Sequence, residues 1–273
     1  MLDGKTIGIL GAGKLGESLI RGLLRTNDTD PPKIVASRLH AERLEPLVHE
    51  LGIAAASNTE VAARADILIL CVKPQDMPRV LDDIRGSLRD TTLVISVAAC
   101  TTTETIEKAL DKNVPVVRTM PNTPCLLGSG MTALSAGKNA TPRHLDTARA
   151  IFDSVGRTVL LPERLMDAVT GLSGSGPAYA YIVIEALAEA GVKVGLPRSV
   201  ATELVAQTML GSARMVLETG QHPALLKDMV TTPAGCTMDG IMALEDGGIR
   251  VTLIKAVVEA TRRASELVAP PTR

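Results

Sequence analysis

The stretch Thr6-Ile7-Gly8-Ile9-Leu10-Gly11-Ala12-Gly13-Lys14-Leu15-Gly16 sets the fold class of the N-terminal half. Its first five residues are short, apolar and β-branched, the pattern of a buried strand. The rest is a Gly-x-Gly-x-x-Gly, and apolar residues return at helical spacing from Lys14 to Leu24. A glycine-rich turn alone is weak evidence. Placed directly after a strand and at the opening of a helix, it meets the context that a dinucleotide fingerprint requires. Gly11 then permits the tight turn, Gly13 lets the backbone approach a pyrophosphate, and Gly16 lets helix and strand pack closely. The helix N-terminus offers N–H groups to the phosphates. Ala12, Lys14 and Leu15 complete this candidate cofactor loop.

Strand patterns recur over residues 33–37, 67–72, 93–97, 114–118, 131–135 and 158–161, with helical patterns between them. The helix over 103–110 carries Thr101 and Glu104 at capping-box spacing, and another opens at Thr141-Pro142. This alternation predicts a parallel sheet with crossover helices over residues 1–162, an α/β domain of Rossmann type. From Pro162 onward the chain reads as helices only, and residues 163–273 form an all-α domain. One helix is expected over 177–194, the next from Pro197 as its first residue to about Thr219, two around the break Pro233-Ala234-Gly235, and one over 249–267. The end Ala269-Pro270-Pro271-Thr272-Arg273 reads as a frayed tail.

The helix after Pro197 is apolar around most of its circumference, with Val200, Leu204, Met209, Leu210, Met215 and Leu217 on different sides. Such a helix must be covered nearly all round. About 110 residues of helix can hardly do that alone, so a second subunit is expected; a helix sandwiched inside one subunit is the alternative.

The 273 residues are 45% hydrophobic and 22% charged, an ordinary globular balance. With 29 basic and 30 acidic residues the net charge is −1, which provides no field for a polyanion. Phe152, Tyr179 and Tyr181 are the only aromatics, too few for repeated base stacking, so nucleic acid is not an expected partner. No apolar run approaches the ~20 residues of a membrane span. The start, Met1-Leu2-Asp3-Gly4-Lys5, runs straight into strand pattern without the marks of a secretory leader. Cys71, Cys100, Cys125 and Cys236 form no Cys-x-x-Cys pair and have no neighbouring His, so reduced thiols in a cytoplasmic protein are expected, with no metal site.

The end of the second strand bears on which dinucleotide is bound. An NAD site usually places Asp or Glu there for the ribose hydroxyls; this chain has Ser37-Arg38. A hydroxyl and a guanidinium suit a 2′-phosphate, and no carboxylate repels it. NADP(H) is the expected cofactor, with NAD(H) as a second option; Arg38 as a solvated surface residue is the alternative.

Four further motifs carry a resemblance. They are Cys71-Val72-Lys73-Pro74, Arg118-Thr119-Met120-Pro121-Asn122-Thr123-Pro124, Thr170 through Tyr179 (TGLSGSGPAY), and Val230 through Thr237 (VTTPAGCT). At these separations, over nearly the whole chain, the sequence resembles the pyrroline-5-carboxylate reductase family. The resemblance implies an oxidoreductase that reduces the C=N bond of 1-pyrroline-5-carboxylate to L-proline with NAD(P)H, in the last step of proline biosynthesis. It also implies a helical domain that binds substrate and interlocks two subunits, a homodimer as the minimal unit, and a ring of dimers such as a decamer as a larger form. Its cofactor positions carry over to Gly11 through Gly16, Ser37, Arg38, Asn58, Val72, Lys73, Pro74, Ala98 and Ala99. Its substrate positions carry over to Met120, Pro121, Asn122, Glu163, Ser173, Gly174, Ser175, Gly176, Pro177, Val230, Thr231, Gly235, Cys236 and Thr237. Two departures are Cys100, where the family pattern has Gly, and Cys236, where Ala is usual.

A cyclic imine takes its proton from water, so no strong general base is demanded, and none is evident. His40, His49, His144 and His222 lie outside every motif and read as surface or structural residues. Catalysis would rest on placement: ring against nicotinamide, carboxylate anchored, water excluded. Ser175 and Thr237 add hydroxyls to backbone N–H groups as a carboxylate anchor, and Thr237 is the candidate catalytic contact. Its hydroxyl could donate to the carboxylate or accept from the iminium N–H, and a plain N-cap is its rival role. Glu163 favours a cationic iminium or begins a helix. Lys73 lies near the nicotinamide or ribose, or is a solvated strand-end lysine. Two other functions compete. A 3-hydroxyacid dehydrogenase needs a helix lysine as base, and Lys193, Lys227 and Lys255 sit in no such motif. A non-catalytic NADP(H) sensor would not need the two substrate loops.

Overall fold

The computed structural model describes residues 2–26 and 29–268; Met1 and the tail from Ala269 lie outside the described residues. The first part alternates β1 (Ile7–Leu10), α1 (Lys14–Arg25), β2 (Ile34–Ser37), α2 (Glu45–Leu51), β3 (Ala54–Ala55), α3 (Asn58–Arg64) and β4 (Ile67–Leu70). It continues with α4 (Met77–Arg85), β5 (Leu93–Ser96), α5 (Thr103–Leu110), β6 (Val116–Met120), β7 (Gly130–Ala136), α6 (Pro142–Asp153) and β8 (Gly156–Leu160). The eight strands form one sheet in the order β3-β2-β1-β4-β5-β6-β7-β8.

The continuous apolar strands follow from burial on both faces. Successive residues of a strand point to opposite sides. Thus Ile67 and Ile69 of β4 join one buried cluster with Ile7, Ile9 and Leu19, whereas Leu68 and Leu70 join another with Val61, Val80 and Ile106. Six strands are parallel, as the alternation predicts, but β7 is antiparallel to β6. That corrects the all-parallel expectation. The link between them holds only the 3₁₀ turn Thr123–Leu127, and a parallel return needs a longer crossover. β8 is again parallel to β7.

Two local expectations shift by one residue. α5 is capped by Thr102, whose hydroxyl accepts from the Thr105 N–H, and not by Thr101; Glu104 pairs instead with Lys108 along the helix. Pro197 is the N-cap of its helix, which begins at Arg198. β3, two residues long, is too short to leave a period in the sequence.

After β8 follow α7 (Met166–Val169), a π-helical turn (Thr170–Gly174), α8 (Gly176–Lys193), α9 (Arg198–Thr219), α10 (Pro223–Met229), α11 (Cys236–Asp246) and α12 (Ile249–Val268). The composition turns helical at residue 163, but compactness divides the chain later. Among the described residues, those up to Ser175 and 259–268 form one unit, and Gly176–Val258 forms the second. Within the second unit α9 leaves Leu204, Leu210 and Leu217 more than half exposed (53%, 55% and 57%). No helix among the described residues is long and apolar enough to cross a membrane.

Candidate active site

In the first unit the strand order reverses beside β1, which lies between β2 and β4. The carboxyl ends of strands at such a switch point form the crevice where open α/β sheets bind ligands. The glycine loop leaves β1 there. Gly11 has φ +87°, and a Cβ on it would lie 2.9 Å from the Cys71 carbonyl, so both conformation and space demand glycine. A Cβ at Gly16 would lie 3.2 Å from Ile9, which draws α1 against β1. At Gly13 a Cβ would meet only the Gly11 carbonyl, at 3.9 Å, so that position faces open space. Gly11 and Ala12 donate to the Ser37 carbonyl at 3.0 and 2.9 Å, which anchors the loop to β2. α1 starts from Gly13 without a side-chain cap, and its first intrahelical bond runs from Glu17 to Gly13. The N–H groups of Lys14, Leu15 and Gly16 therefore precede the helical ladder, the arrangement that receives phosphate. This cradle fits a dinucleotide.

Ser37 is buried, and its hydroxyl donates to the Asn58 side-chain carbonyl at 2.7 Å. Asn58 begins α3, so two candidate cofactor residues from different elements meet directly. Arg38 is half-buried, and its guanidinium donates to the Arg43 carbonyl at 3.1 Å. Arg43 is a second guanidinium carried on the same short loop, which the motif reading passed over because it belongs to no motif.

Val72, Lys73 and Pro74 follow β4, with Lys73 exposed at the start of a 3₁₀ turn. Beside them burial pushes the Cys71 thiol up to about 12, so it stays protonated and inert at neutral pH. Ala98 and Ala99 follow β5, where the Ala98 N–H donates to the Ser96 hydroxyl. Cys100 then takes φ +59°, a left-handed conformation that glycine adopts most readily. Burial and the Asp167 carboxylate push its thiol up, against the opposing pull of Arg118.

The strand-end motif after β6 meets the approach to the π turn. Asn122 donates its amide to the Ser173 carbonyl at 3.1 Å and accepts from the Met131 N–H at 2.9 Å. Arg118, 3% exposed, lies 3.4 Å from Glu163 and 3.6 Å from Asp167. Glu163 also accepts the N–H and hydroxyl of Thr103, so both of its oxygens are engaged. Asp167 accepts from Ser265 on α12 through one oxygen; the other is buried with no hydrogen bond among the described residues. The sequence reading did not single out Arg118 as a charge centre, since its partners lie 45 and more residues away. Ser175 closes the π turn by donating to the Thr170 carbonyl at 2.9 Å, and Gly176 and Pro177 open α8.

In the second unit Val230 is the C-cap of α10 and Thr231 follows it, with the Thr231 hydroxyl donating to the Asp228 carbonyl. Ala234 at φ +60° turns the chain into α11, whose N-cap is Gly235 with no side-chain cap bond. Cys236 is exposed at the first helical position and Thr237 half-buried at the second. The N-cap alternative for Thr237 is thereby corrected: the cap position belongs to Gly235, where the β-region backbone precedes the first turn. Among the histidines, His144 completes a capping box with Thr141, and His222 caps α10 through Ala224. No group of three His, Cys, Asp or Glu among the described residues is arranged to hold a metal ion.

A sheet of this order, with an uncapped helix after a glycine loop and a helical second unit, defines a Rossmann-type α/β protein. Residues 163–267 match the family described as pyrroline-5-carboxylate reductase dimerisation, and residues 6–100 the family described as NADP oxidoreductase, coenzyme F420-dependent. The chain is 46% identical to the pyrroline-5-carboxylate reductase of Methanosarcina acetivorans over 97% of its own length and 99% of the relative's. To the Escherichia coli enzyme of that name it is 38% identical, over 96% and 98% of the two chains. The solved pyrroline-5-carboxylate reductase of Coxiella burnetii superposes with TM-score 0.92 at 35% identity, covering 98% of this chain and all (100%) of that one. The Plasmodium falciparum pyrroline carboxylate reductase, solved with NADP bound, gives 0.87 at 31% identity over 98% and 99%. The chain belongs to the pyrroline-5-carboxylate reductase family.

Proposed function

We infer that this protein reduces 1-pyrroline-5-carboxylate to L-proline, the last step of proline biosynthesis, with NADPH as preferred reductant and NADH as a second. The observation that carries this reading is the end-to-end similarity to enzymes of that name, with TGLSGSGPAY and VTTPAGCT both present. The coenzyme choice draws on the Ser37-Arg38 pair and on the NADP in the Plasmodium relative.

The N–H groups at the start of α1 would hold the pyrophosphate, and Ser37 and Arg38 the 2′-phosphate. Asn58, Val72, Lys73, Pro74, Ala98 and Ala99 would line the remainder of that crevice. When bound, the nicotinamide supplies a hydride to the imine carbon; the proton on nitrogen comes from water. The protein's own part is to place and desolvate. Within the second unit the Thr237 hydroxyl and first-turn N–H groups of α11 would hold the substrate carboxylate, and in the first unit the Ser175 hydroxyl is a further candidate anchor. The remaining candidates for substrate contact are Met120, Pro121, Glu163, Ser173 and Gly174 in the first unit and Gly176, Pro177, Val230, Thr231, Gly235 and Cys236 in the second.

The residues 1–162 and 163–273 would serve as cofactor and substrate domains of a cytoplasmic homodimer, with a ring of dimers such as a decamer as a larger form. The exposed Leu204, Leu210 and Leu217 support a covered face, since soluble monomers rarely expose such patches. NADPH oxidation followed spectroscopically with pyrroline-5-carboxylate tests the reaction. Turnover should be stoichiometric with proline formed, and no oxidation above the substrate-free rate would overturn it. Sedimentation at micromolar concentration should give a dimer or larger; a well-folded monomer would refute the assembly.

A further inference from the structure

β6 and the extended residues that follow it carry Arg118, Met120 and Asn122 at alternate positions, and an extended chain sends alternate side chains to one face. Each of the three meets the segment that leads into α8. Arg118 pairs with Glu163 and Asp167 at 3.4 and 3.6 Å. The Met120 Cε lies so near Gly174 that a Cβ there would be 2.6 Å from it. Asn122 holds the Ser173 carbonyl and the Met131 N–H at 3.1 and 2.9 Å. The intervening Thr119 is turned elsewhere, its hydroxyl donating to the Ser96 carbonyl at 3.0 Å.

The segment they hold contains the π turn Thr170–Gly174. Such turns are rare, recur at functional sites, and persist only where the surroundings fix them. The Asn122 side-chain carbonyl accepts from the Met131 N–H, and one of its amide N–H groups donates to the Ser173 carbonyl. We propose that Asn122 is a positioning residue for the imine site, acting through the π turn that leads into Ser175 and Gly176, and not by touching the substrate. This rests on the reading of the protein as a pyrroline-5-carboxylate reductase. The Arg-x-Met-x-Asn spacing is then a seat for that turn.

Asn122→Asp separates the two halves of the side chain. A carboxylate still accepts from Met131 but has no donor for the Ser173 carbonyl. Asn122→Ala removes both without adding charge. Hydrogen exchange of the ligand-free full-length protein and steady-state kinetics are compared for wild type and both variants. Both variants should exchange faster over residues 170–176 and show a KM for pyrroline-5-carboxylate raised about fivefold or more. The Kd for NADPH alone should not change. A raised KM with unchanged exchange would mean direct substrate contact, and faster exchange with normal kinetics a structural role only; either result overturns the proposal. Should the wild type fail to turn over the imine, the reaction assignment fails, while unchanged exchange in both variants would separately refute Asn122 as the holder of the turn.

Discussion

The carboxylate of Glu163 caps α5 from 60 residues away: the Thr103 N–H reaches it at 2.8 Å and the Thr103 hydroxyl at 2.6 Å. Thr103 is the first residue of that helix, where N–H groups lack intrahelical partners and negative charge is favoured. The same carboxylate faces the buried Arg118. One side chain thus joins the start of a crossover helix, a central strand and the chain's passage into its helical part.

Glu163→Ala should therefore lower stability by about 2 kcal/mol, the scale of a charge-assisted hydrogen bond. It also leaves Arg118 with Asp167 as its remaining ion-pair partner among the described residues. Urea unfolding monitored by circular dichroism measures the loss. Glu163→Gln should recover part of it, because an amide oxygen still accepts from Thr103.

Cofactor preference should respond to Arg38. Arg38→Ala is expected to weaken NADPH by about 1.5–3 kcal/mol, with NADH nearly unchanged, because only the former presents a 2′-phosphate. Paired binding titrations with the two coenzymes decide it. An equal loss for both would remove Arg38 from the phosphate contact.

Thr237 sits at the second position of α11, behind the Gly235 cap. Thr237→Ala should accordingly leave the melting temperature within a degree or two, whereas kcat/KM for the imine should fall about tenfold or more, equivalent to ~1.4 kcal/mol. Normal kinetics in this variant would exclude the hydroxyl from substrate binding.

Stability should fall on mild acidification because of His144. Burial, then Arg143 and Lys5, hold its imidazole below the ordinary value of 6.5, and its ring nitrogen accepts from the Thr141 N–H at the start of α6. With a depressed folded pKa, the unfolded chain takes up the proton first. The stabilisation is complete above 6.5 and is lost as the pH falls toward the folded value. His144→Glu, an ordinary capping-box residue, should flatten the stability profile between about pH 7 and about pH 5 relative to wild type. Parallel profiles for the two proteins would contradict this.

The nucleotide-binding half was legible because its determinants are local. Thr6 through Gly16 is one unbroken stretch, and every strand except the two-residue β3 announced itself by a run of strand-forming residues, as Ile67 through Val72 did. Period and composition are properties of neighbours along the chain, and a strand covered on both faces needs no knowledge of what covers it. The helical character after residue 162, and the α9 surface too apolar for one subunit, were readable for the same reason. Thr101 and Thr102 differ by a single position in a run of threonines, and only backbone dihedrals select Thr102 as the cap.

Tertiary folding settled everything that joins distant residues. β7 runs against β6 because of the length and path of the link, which no periodicity encodes. The pairing of Ser37 with Asn58 spans 21 residues, that of Asn122 with Ser173 spans 51, and that of Arg118 with Glu163 spans 45. A hydrogen bond or ion pair depends on two polar groups meeting within about 3 Å, and chain separation says nothing of that distance. So the motifs were visible as words in the sequence, but the contacts that join Asn122 to Ser173 and Glu163 to Thr103 and Arg118 exist only once the sheet is assembled around them.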